Sequence, residues 1–473
     1  MRDCLTFYIG GEWVEAAGQR TLAVENPATE EICGRIALGD AADVDRAVLA
    51  ARRAFPVWSV SSREERLTLL RSILAEYERR TSDLAAALTE EMGAPAALAG
   101  GFQVGLGHGH LTTAIDILKD FGFEEQRGAT RIVREPVGVC GLITPWNWPL
   151  NQIAVKVFPA IASGCTVILK PSEIAPFSAQ IFAEIMHAAG TPPGVFNLVQ
   201  GDGPGVGVAL STHPDIDMIS FTGSTRAGVE IARNAAPTVK RVAQELGGKS
   251  ANIILNDSQL AANVRAGVAS MMGNSGQTCS APSRMLVPRA RMGEAITAAA
   301  EAAALVSVGP PSGNVAMGPV VSRLQFDKIQ HLIRQGIAEG ATLVAGGPGR
   351  PDGLDRGHYV RPTVFADVTN DMVIAREEIF GPVLTILGYD DIAQAITIAN
   401  DSEYGLAGYV CGQDVDLARS VARQLRAGWI SINNGFDFKA PFGGYKRSGN
   451  GREWGEFGFH EYLEIKSMLG YGQ

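Results

Sequence analysis

Between residues 41 and 93 apolar side chains recur every three or four positions, the period of helices with one buried face. Val44, Val48, Ala51 and Phe55 share a face in a segment starting near Ala41. Leu67, Leu70, Leu74 and Tyr77 do the same after the capping residues Ser61 and Ser62. A third helix is expected from about Ser82 towards Gly93, a glycine placed to stop it. The opening 25 residues read instead as short strands and turns, with 7–9 and 12–14 flanking Gly10 and Gly11.

From residue 137 the period changes. Apolar runs at 137–144, 166–169, 195–199 and 218–221 are bounded by Gly or Pro. They alternate with helical segments at 178–189, whose apolar face is Ile181, Phe182, Ile185 and Met186, and at 225–235. Strand, crossover helix, strand is the mark of a parallel sheet covered on both faces, the architecture of nucleotide sites. A second α/β unit is expected from strands at 252–255, 285–287, 383–387, 408–411 and 429–432. The glycine- and proline-rich 346–349 and 351–353 are loop punctuation within it. No repeat period and no long linker is visible.

Length and composition narrow the classes. At 473 residues the chain exceeds one core, and 46% hydrophobic with 19% charged residues is a composition that folds. A formal charge of −9 without a basic run argues against nucleic acid as a partner. Two stretches, 92–115 and 136–155, lack charge, but six Gly, two His and a Gln interrupt the first, and three Pro and two Asn the second. No membrane span is expected, because those groups would go unpaired in hydrocarbon. The N-terminus has no apolar leader, so a soluble, cytoplasmic protein is expected. The six cysteines (4, 33, 140, 165, 279 and 411) form no C-x-x-C pair and have no His at ligand spacing. Neither a disulfide framework nor a metal site is expected, and most should be buried thiols.

Several short segments carry candidate chemistry. The glycine-rich 201–207 fails as a dinucleotide fingerprint, because Val206 stands in the third glycine's place and Pro204 distorts the turn. At 221–228 an apolar strand ends in Gly223, and Ser224 and Thr225 open a helix. Amides and helix dipole there suit a phosphate, although Ser224 or Thr225 as a plain cap fits equally. Lys170, Ser172 and Glu173 follow another parallel strand, at the edge where open sheets bind ligands. Lys170 suits ribose hydroxyls; an exposed ion pair is the alternative. Cys279, among Gly276, Gln277, Thr278 and Ser280, has the small polar neighbours of an accessible nucleophilic thiol, although taken alone a buried structural cysteine is the commoner case. Glu245, before Gly247 and Gly248, suits a general base approaching water, though surface Glu is common. Asn147 lies in Pro145-Trp146-Asn147-Trp148-Pro149, where its amide either donates to an oxyanion or bonds a tight turn.

In their order and spacing these pieces, with Asn26 to Thr29, Glu377 to Pro382 and Pro441 to Gly449, resemble the aldehyde dehydrogenase superfamily, of its hydrolytic, NAD(P)-dependent kind. The resemblance spans nearly the whole chain. It implies that Cys279 attacks the aldehyde carbon, that Asn147 and the Cys279 amide hold the oxyanion, and that Glu245 is the base. It further implies that Lys170 and Glu173 contact the adenine ribose, Ser224 the pyrophosphate, and Glu378 and Phe380 the nicotinamide end. Thr144, Pro145, Trp146, Ser172, Gly203, Gly207, Phe221, Thr222, Gly223, Leu246 and Gly247 complete the implied cofactor groove. A carboxylate at Glu173 would repel a 2′-phosphate, so NAD is expected, with NADP the alternative. Lys156 and Glu453 match a proton-relay pair and read equally as a structural ion pair.

On the aldehyde side the resemblance points to Trp148, Gln152, Gly273, Thr278, Ser280, Phe436, Phe438 and Phe442. These are mostly uncharged, and Gly273 adds room, which favours a medium-sized apolar or aromatic aldehyde. A semialdehyde dehydrogenase, a CoA-acylating relative and a non-catalytic binding protein on the same fold are the rivals; retention of Glu245 argues against the second. The implied α/β fold has a Rossmann-type cofactor domain (1–120 and 135–246), a catalytic domain (247–447) and a β oligomerisation flap (121–134 and 448–473). Strand edges in the flap lead to the expectation of a homodimer or homotetramer.

Overall fold

The computed structural model describes residues 2–472. Its larger sheet has eight strands, and five of them run parallel in the spatial order Arg241–Glu245, Met218–Thr222, Val139–Ile143, Thr166–Lys170, Phe196–Leu198. The chain starts this set in the centre, winds outward through Thr166–Lys170 and Phe196–Leu198, then returns to the other side. Its direction of winding therefore reverses between Val139–Ile143 and Met218–Thr222. Loops leaving those two strands diverge and open a crevice at their carboxyl ends, the place where doubly wound sheets take ligands. The hairpin Thr6–Ile9 and Glu12–Glu15 closes one edge, and Gly449–Asn450 closes the other.

Of the two charge-free stretches the second is interior to this unit, whereas the first leaves 96–97, 100–102 and 105 exposed. Val139–Ile143 is buried throughout, and so is every residue of the helix Pro149–Ser163 that follows. Pro149 starts this helix where a missing N–H costs nothing, and left-handed Gly164 ends it. A Cβ at Gly164 would lie 2.7 Å from the guanidinium of Arg66. The other stretch forms the π-helical turn Ala99–Gln103 and the helix Val104–Asp120, which packs on Pro149–Ser163.

A second sheet of seven strands runs Thr342–Ala345, Thr363–Ala366, Val383–Tyr389, Arg284–Pro288, Ala251–Ile254, Ala407–Cys411, Trp429–Ile432, parallel except for the first. A three-stranded antiparallel flap joins Glu124–Arg127, Thr130–Pro136 and Leu463–Met468. Another small sheet joins Arg2–Cys4, Glu31–Ala37 and Thr21–Asn26. Among the described residues no helix is long and apolar enough to cross a membrane, and no group of three or more His, Cys, Asp or Glu is placed to hold a metal.

Most expected elements lie within a residue or two of their observed bounds: helices Ala41–Trp58, Arg63–Arg79, Thr81–Met92, Phe177–Ala188 and Thr225–Ala235. Other expectations need correction. Arg241–Glu245 is a strand, although Arg, Gln and Glu occupy three of its five positions. Gly449–Asn450, expected in the flap, pairs with it in the larger sheet. The reason is steric: a Cβ at Gly449 would come within 2.0 Å of the Gln244 carbonyl oxygen, so only glycine permits this approach. Three of the six thiols are buried (Cys140, Cys165 and Cys411), fewer than expected; Cys4, Cys33 and Cys279 are half-buried.

Candidate active site

The loop after Val139–Ile143 crosses the crevice before entering the helix at Pro149. Thr144 N–H donates to the Lys170 carbonyl at 3.1 Å, tying the loop to the neighbouring strand's end. Two side chains then reach the Cys279 segment. Asn147, buried, donates from Nδ2 to the Gln277 carbonyl at 3.0 Å, and Trp148 Nε1 donates to Thr278 Oγ1 at 3.0 Å. Across the crevice Met218–Thr222 leads through Gly223 to Ser224, whose hydroxyl accepts from Ala227 N–H at 3.3 Å. Ser224 thus caps the helix and also lines the crevice.

Cys279 is presented by a contorted turn. After helix Leu260–Met272, three residues in succession take left-handed φ: Asn274 at 51°, Ser275 at 56° and Gly276 at 70°. A non-glycine residue there costs about 1–3 kcal/mol and persists only where surrounding contacts enforce it. Gly276 has no substitute, because a Cβ would lie 2.2 Å from the Gly381 carbonyl oxygen.

Half-buried Cys279 lies where two cavities meet. One, of about 210 Å³, follows the crevice past Pro145, Trp146, Asn147, Thr222, Gly223, Ser224, Leu246, Gly247, Glu378 and Phe380. Exposed Ser224 marks its outer end. The other, of about 370 Å³, is walled by Trp148, Tyr409, Trp429, Phe442 and Trp454, with Gln152, Gly273, Thr278 and Ser280. Phe102 and Phe436, each 49% exposed, stand at its rim. Only Thr222 and Cys279 line both. Burial raises the Cys279 thiol's pKa, and the neighbouring Glu378 and Glu245 carboxylates act in the same direction.

Glu245 ends its strand buried, with both carboxylate oxygens unpartnered, on the wall of the larger cavity. It is the last residue of a regular strand, with Gly247 and Gly248 just beyond it. Its pKa is raised well above the ordinary carboxylate range, first by burial and then by the charge of Glu453. In its ionised form a carboxylate held there is a stronger base than one in water. Glu453, in the same cavity wall, pairs with the buried ammonium of Lys156, which also donates to Ser220 Oγ at 3.1 Å. Glu378 accepts from Gly248 N–H at 2.9 Å. Burial raises its pKa too, with the Gly248 N–H opposing the shift. Trp146 meets Phe380 edge-on with ring centroids 5.3 Å apart.

The structure brings together most of the residues singled out in the sequence, but not all. Thr144, Lys170, Ser172, Glu173 and Phe221 lie at or just beyond the ends of adjacent strands without lining the 210 Å³ cavity. Lys170 Nζ donates to the Pro171 carbonyl at 2.9 Å and to Glu173 at 3.2 Å, a local pair. Gly203 and Gly207 bound a single π-helical turn capped by Asp202, again outside that cavity. Phe438 stands behind the aldehyde-side wall, stacked on Trp454 with centroids 6.3 Å apart. Sequence reading missed Gln325 and Lys328, which reach the smaller cavity from helix Arg323–Ala338. Gln325 Nε2 donates to the Phe380 carbonyl at 2.7 Å and Lys328 Nζ to the Glu378 carbonyl at 2.7 Å. Phe102, Tyr409, Trp429 and Trp454 were missed as well, with no local motif to mark them.

The smaller cavity suits a dinucleotide's nicotinamide end. Thr222 Oγ1 is buried, unpartnered and in its wall, and Ser224, which caps the helix beginning at Thr225, lines it too.

The chain is similar to known proteins over nearly its whole length. The profile of the Aldehyde dehydrogenase family matches residues 13–468. A 3-succinoylsemialdehyde-pyridine dehydrogenase of Pseudomonas sp. is 57% identical, covering 100% of this chain and 99% of that one. Among solved structures, a mutant of aldehyde dehydrogenase C from Pseudomonas syringae, in complex with NAD+ and octanal, is 54% identical with TM-score 0.98, covering 99% of this chain and 97% of that one. An aldehyde dehydrogenase of Mycobacterium tuberculosis in complex with NAD+ is 41% identical with TM-score 0.96, covering 99% of this chain and 98% of that one. The chain belongs to the aldehyde dehydrogenase family.

Proposed function

We propose that this chain oxidises a medium-sized apolar or aromatic aldehyde to its carboxylic acid with NAD, using Cys279 as nucleophile. The observation that carries this reading is the position of Cys279 at the meeting point of a polar crevice and an aromatic cavity. The relative with the pyridine semialdehyde name and the octanal complex support an elongated, largely apolar substrate.

Thr222, Ser224, Glu378 and Phe380 would hold the nicotinamide half of the dinucleotide, with Lys170 and Glu173 towards the adenosine. Bound there, NAD supplies the hydride acceptor by which a cysteine thiohemiacetal becomes a thioester. The chain's own groups do the rest. Cys279 Sγ, deprotonated, bonds to the aldehyde carbon, and the carbonyl oxygen gains the negative charge. Asn147 Nδ2 has two hydrogens; one is held by the Gln277 carbonyl, and the other is available to that oxygen together with the Cys279 N–H. Glu245 takes a proton from the thiol or from the water that cleaves the thioester, giving the acid and the free thiol. Burial makes the second role chemically suitable, because a carboxylate with a raised pKa is a stronger base than one in water.

The half-buried carboxylate of Glu173 favours free ribose hydroxyls over a 2′-phosphate, which supports NAD over NADP. Assembly through the flap is proposed too: Leu463–Met468 is an edge strand with Ile465 71% exposed, a surface that pairing with a second copy would cover. Light scattering on the eluted protein tests this, and a monomer at all concentrations rejects it. For the reaction, the test is NADH formation, followed by absorbance, with NAD and an aldehyde panel including octanal and benzaldehyde, with and without CoA. Turnover without CoA is expected. Turnover that requires CoA would move the chain to the acyl-transferring branch, and none under any condition would reject catalysis.

A further inference from the structure

The two loops that carry Asn147 and Cys279 come from different sheets, yet an oxyanion site demands that they keep their spacing to a fraction of an ångström. One buried side chain spans them. Asn274 Nδ2 donates to the Asn147 carbonyl at 2.9 Å on one loop and to the Gln277 carbonyl at 3.3 Å on the other. Its Oδ1 accepts from Gln103 Nε2 at 3.2 Å. Carbonyl oxygens only accept, so the amide nitrogen must face them and the amide has one orientation. The Asn274 carbonyl in turn accepts from Gln277 N–H at 3.1 Å and Gln277 Nε2 at 3.2 Å, while Gln277 Oε1 accepts from Val321 N–H at 2.8 Å.

Asn274 is 3% exposed and sits in the left-handed region, at φ 51° and ψ 32°. Asparagine is among the few side-chain-bearing residues that tolerate this conformation. Turning the chain left-handed here aims the amide back across the turn at both loops. The Gln277 carbonyl is the same acceptor that holds the Asn147 amide, so Asn274 and Asn147 converge on one oxygen, two residues before Cys279.

We infer that Asn274 is a positioning residue of this site: its amide locks the Asn147 loop to the Cys279 loop and thereby sets where the Asn147 amide stands when charge develops on the aldehyde oxygen. This rests on Asn147 being the oxyanion donor. Asn274 borders the larger cavity, but its amide nitrogen is turned to the Asn147 and Gln277 carbonyls, so it acts through them.

The test is a double-mutant cycle read by the rate of the first-turnover NADH burst, with the best substrate of the panel. Asn274→Gly keeps the left-handed backbone and removes the clamp; it should slow the burst about 10- to 100-fold, the cost of an ångström-scale misplacement. Aldehyde KM, NAD affinity by fluorescence and alkylation of Cys279 by iodoacetamide should stay within about twofold, which a general loosening of the fold would not allow. Asn274→Asp, isosteric but with an oxygen facing two carbonyl oxygens, should be slower than Asn274→Gly. In the Asn147→Ala background, adding Asn274→Gly should change the burst by less than about twofold, because the group it positions is gone.

A wild-type burst in Asn274→Gly, or losses that multiply independently in the double variant, overturns the proposal while leaving Asn147 in its role. A wild-type burst in Asn147→Ala alone overturns the oxyanion reading and this inference with it. Should Asn274→Gly not fold, Asn274→Asp takes its place in the cycle; failure of both to fold would make the clamp a folding element and overturn the proposal.

Discussion

The two cavities that meet at Cys279 are built in different ways. The smaller is made close to backbone: strand ends, the loop from Pro145 to Asn147 and the helix start at Ser224 fix its shape. The larger is walled by aromatic side chains sent from elements far apart in sequence, among them Phe102, Trp148, Tyr409, Phe436 and Trp454. A wall of backbone resists substitution, whereas a wall of side chains can be changed one residue at a time. The cofactor side therefore fixes the reaction and the aldehyde side selects the substrate, with Cys279 and Glu245 belonging to the chemistry although Glu245 is reached from the aldehyde side.

Each expected outcome below separates the two sides, and the largest comes first. Cys279→Ala should abolish turnover, a loss of at least about 10⁴-fold, with NAD affinity by fluorescence within about twofold. Glu245→Gln should lower steady-state turnover by about 10²–10³-fold. A retained NADH burst assigns the carboxyl group to deacylation, and a lost burst assigns it to thiol activation. If it is the base, as proposed, its active form is the deprotonated one, and steady-state turnover should rise with pH through an ionisation well above the ordinary carboxylate range. Turnover of Glu245→Gln should be flat across that range.

Smaller effects belong to the aldehyde side. Gly273 borders the larger cavity, and a Cβ added there meets open space, so Gly273→Phe should fold normally while filling the cavity. We expect kcat/KM for octanal or benzaldehyde to fall about 10- to 100-fold, with acetaldehyde and NAD parameters little changed. Loss of NAD affinity in this variant would break the separation between the sides. The smallest effect is expected at Glu173→Gln, which should raise kcat/KM for NADP about tenfold relative to NAD and leave aldehyde selectivity alone. An unchanged ratio would show that the carboxylate does not discriminate.

What could be read from the sequence follows the same division. Pro145 to Trp148, Phe221 to Ser224 and Gly276 to Cys279 are local, because each is a strand end or turn whose glycines and prolines write the backbone path into adjacent letters. Gln325 and Lys328 also serve the cofactor side, but they arrive from a helix whose own pattern reports only its buried face at Phe326, Ile329 and Ile333. The aromatic wall was half visible. Phe436 and Phe442 lie near the glycine-rich 443–444, whereas Tyr409 and Trp429 sit in strands where aromatic residues are unremarkable. Glu245 was found through Gly247 and Gly248, yet its strand was not, since burial against Met218–Thr222 overrides three polar residues out of five. The left-handed pair Asn274 and Ser275 left a trace in Gly-Asn-Ser-Gly, a turn composition that does not say which way the amide points.

The two cavities reach the surface at different places, one near Ser224 and one beside the packed rings of Phe102 and Phe436, which bears on traffic. If the cavities hold aldehyde and nucleotide as proposed, a finished acid would depart past the aromatic rim while the nucleotide stayed seated. Steric queueing would then impose no sequence of entry or exit, and any kinetic order would be set by affinity.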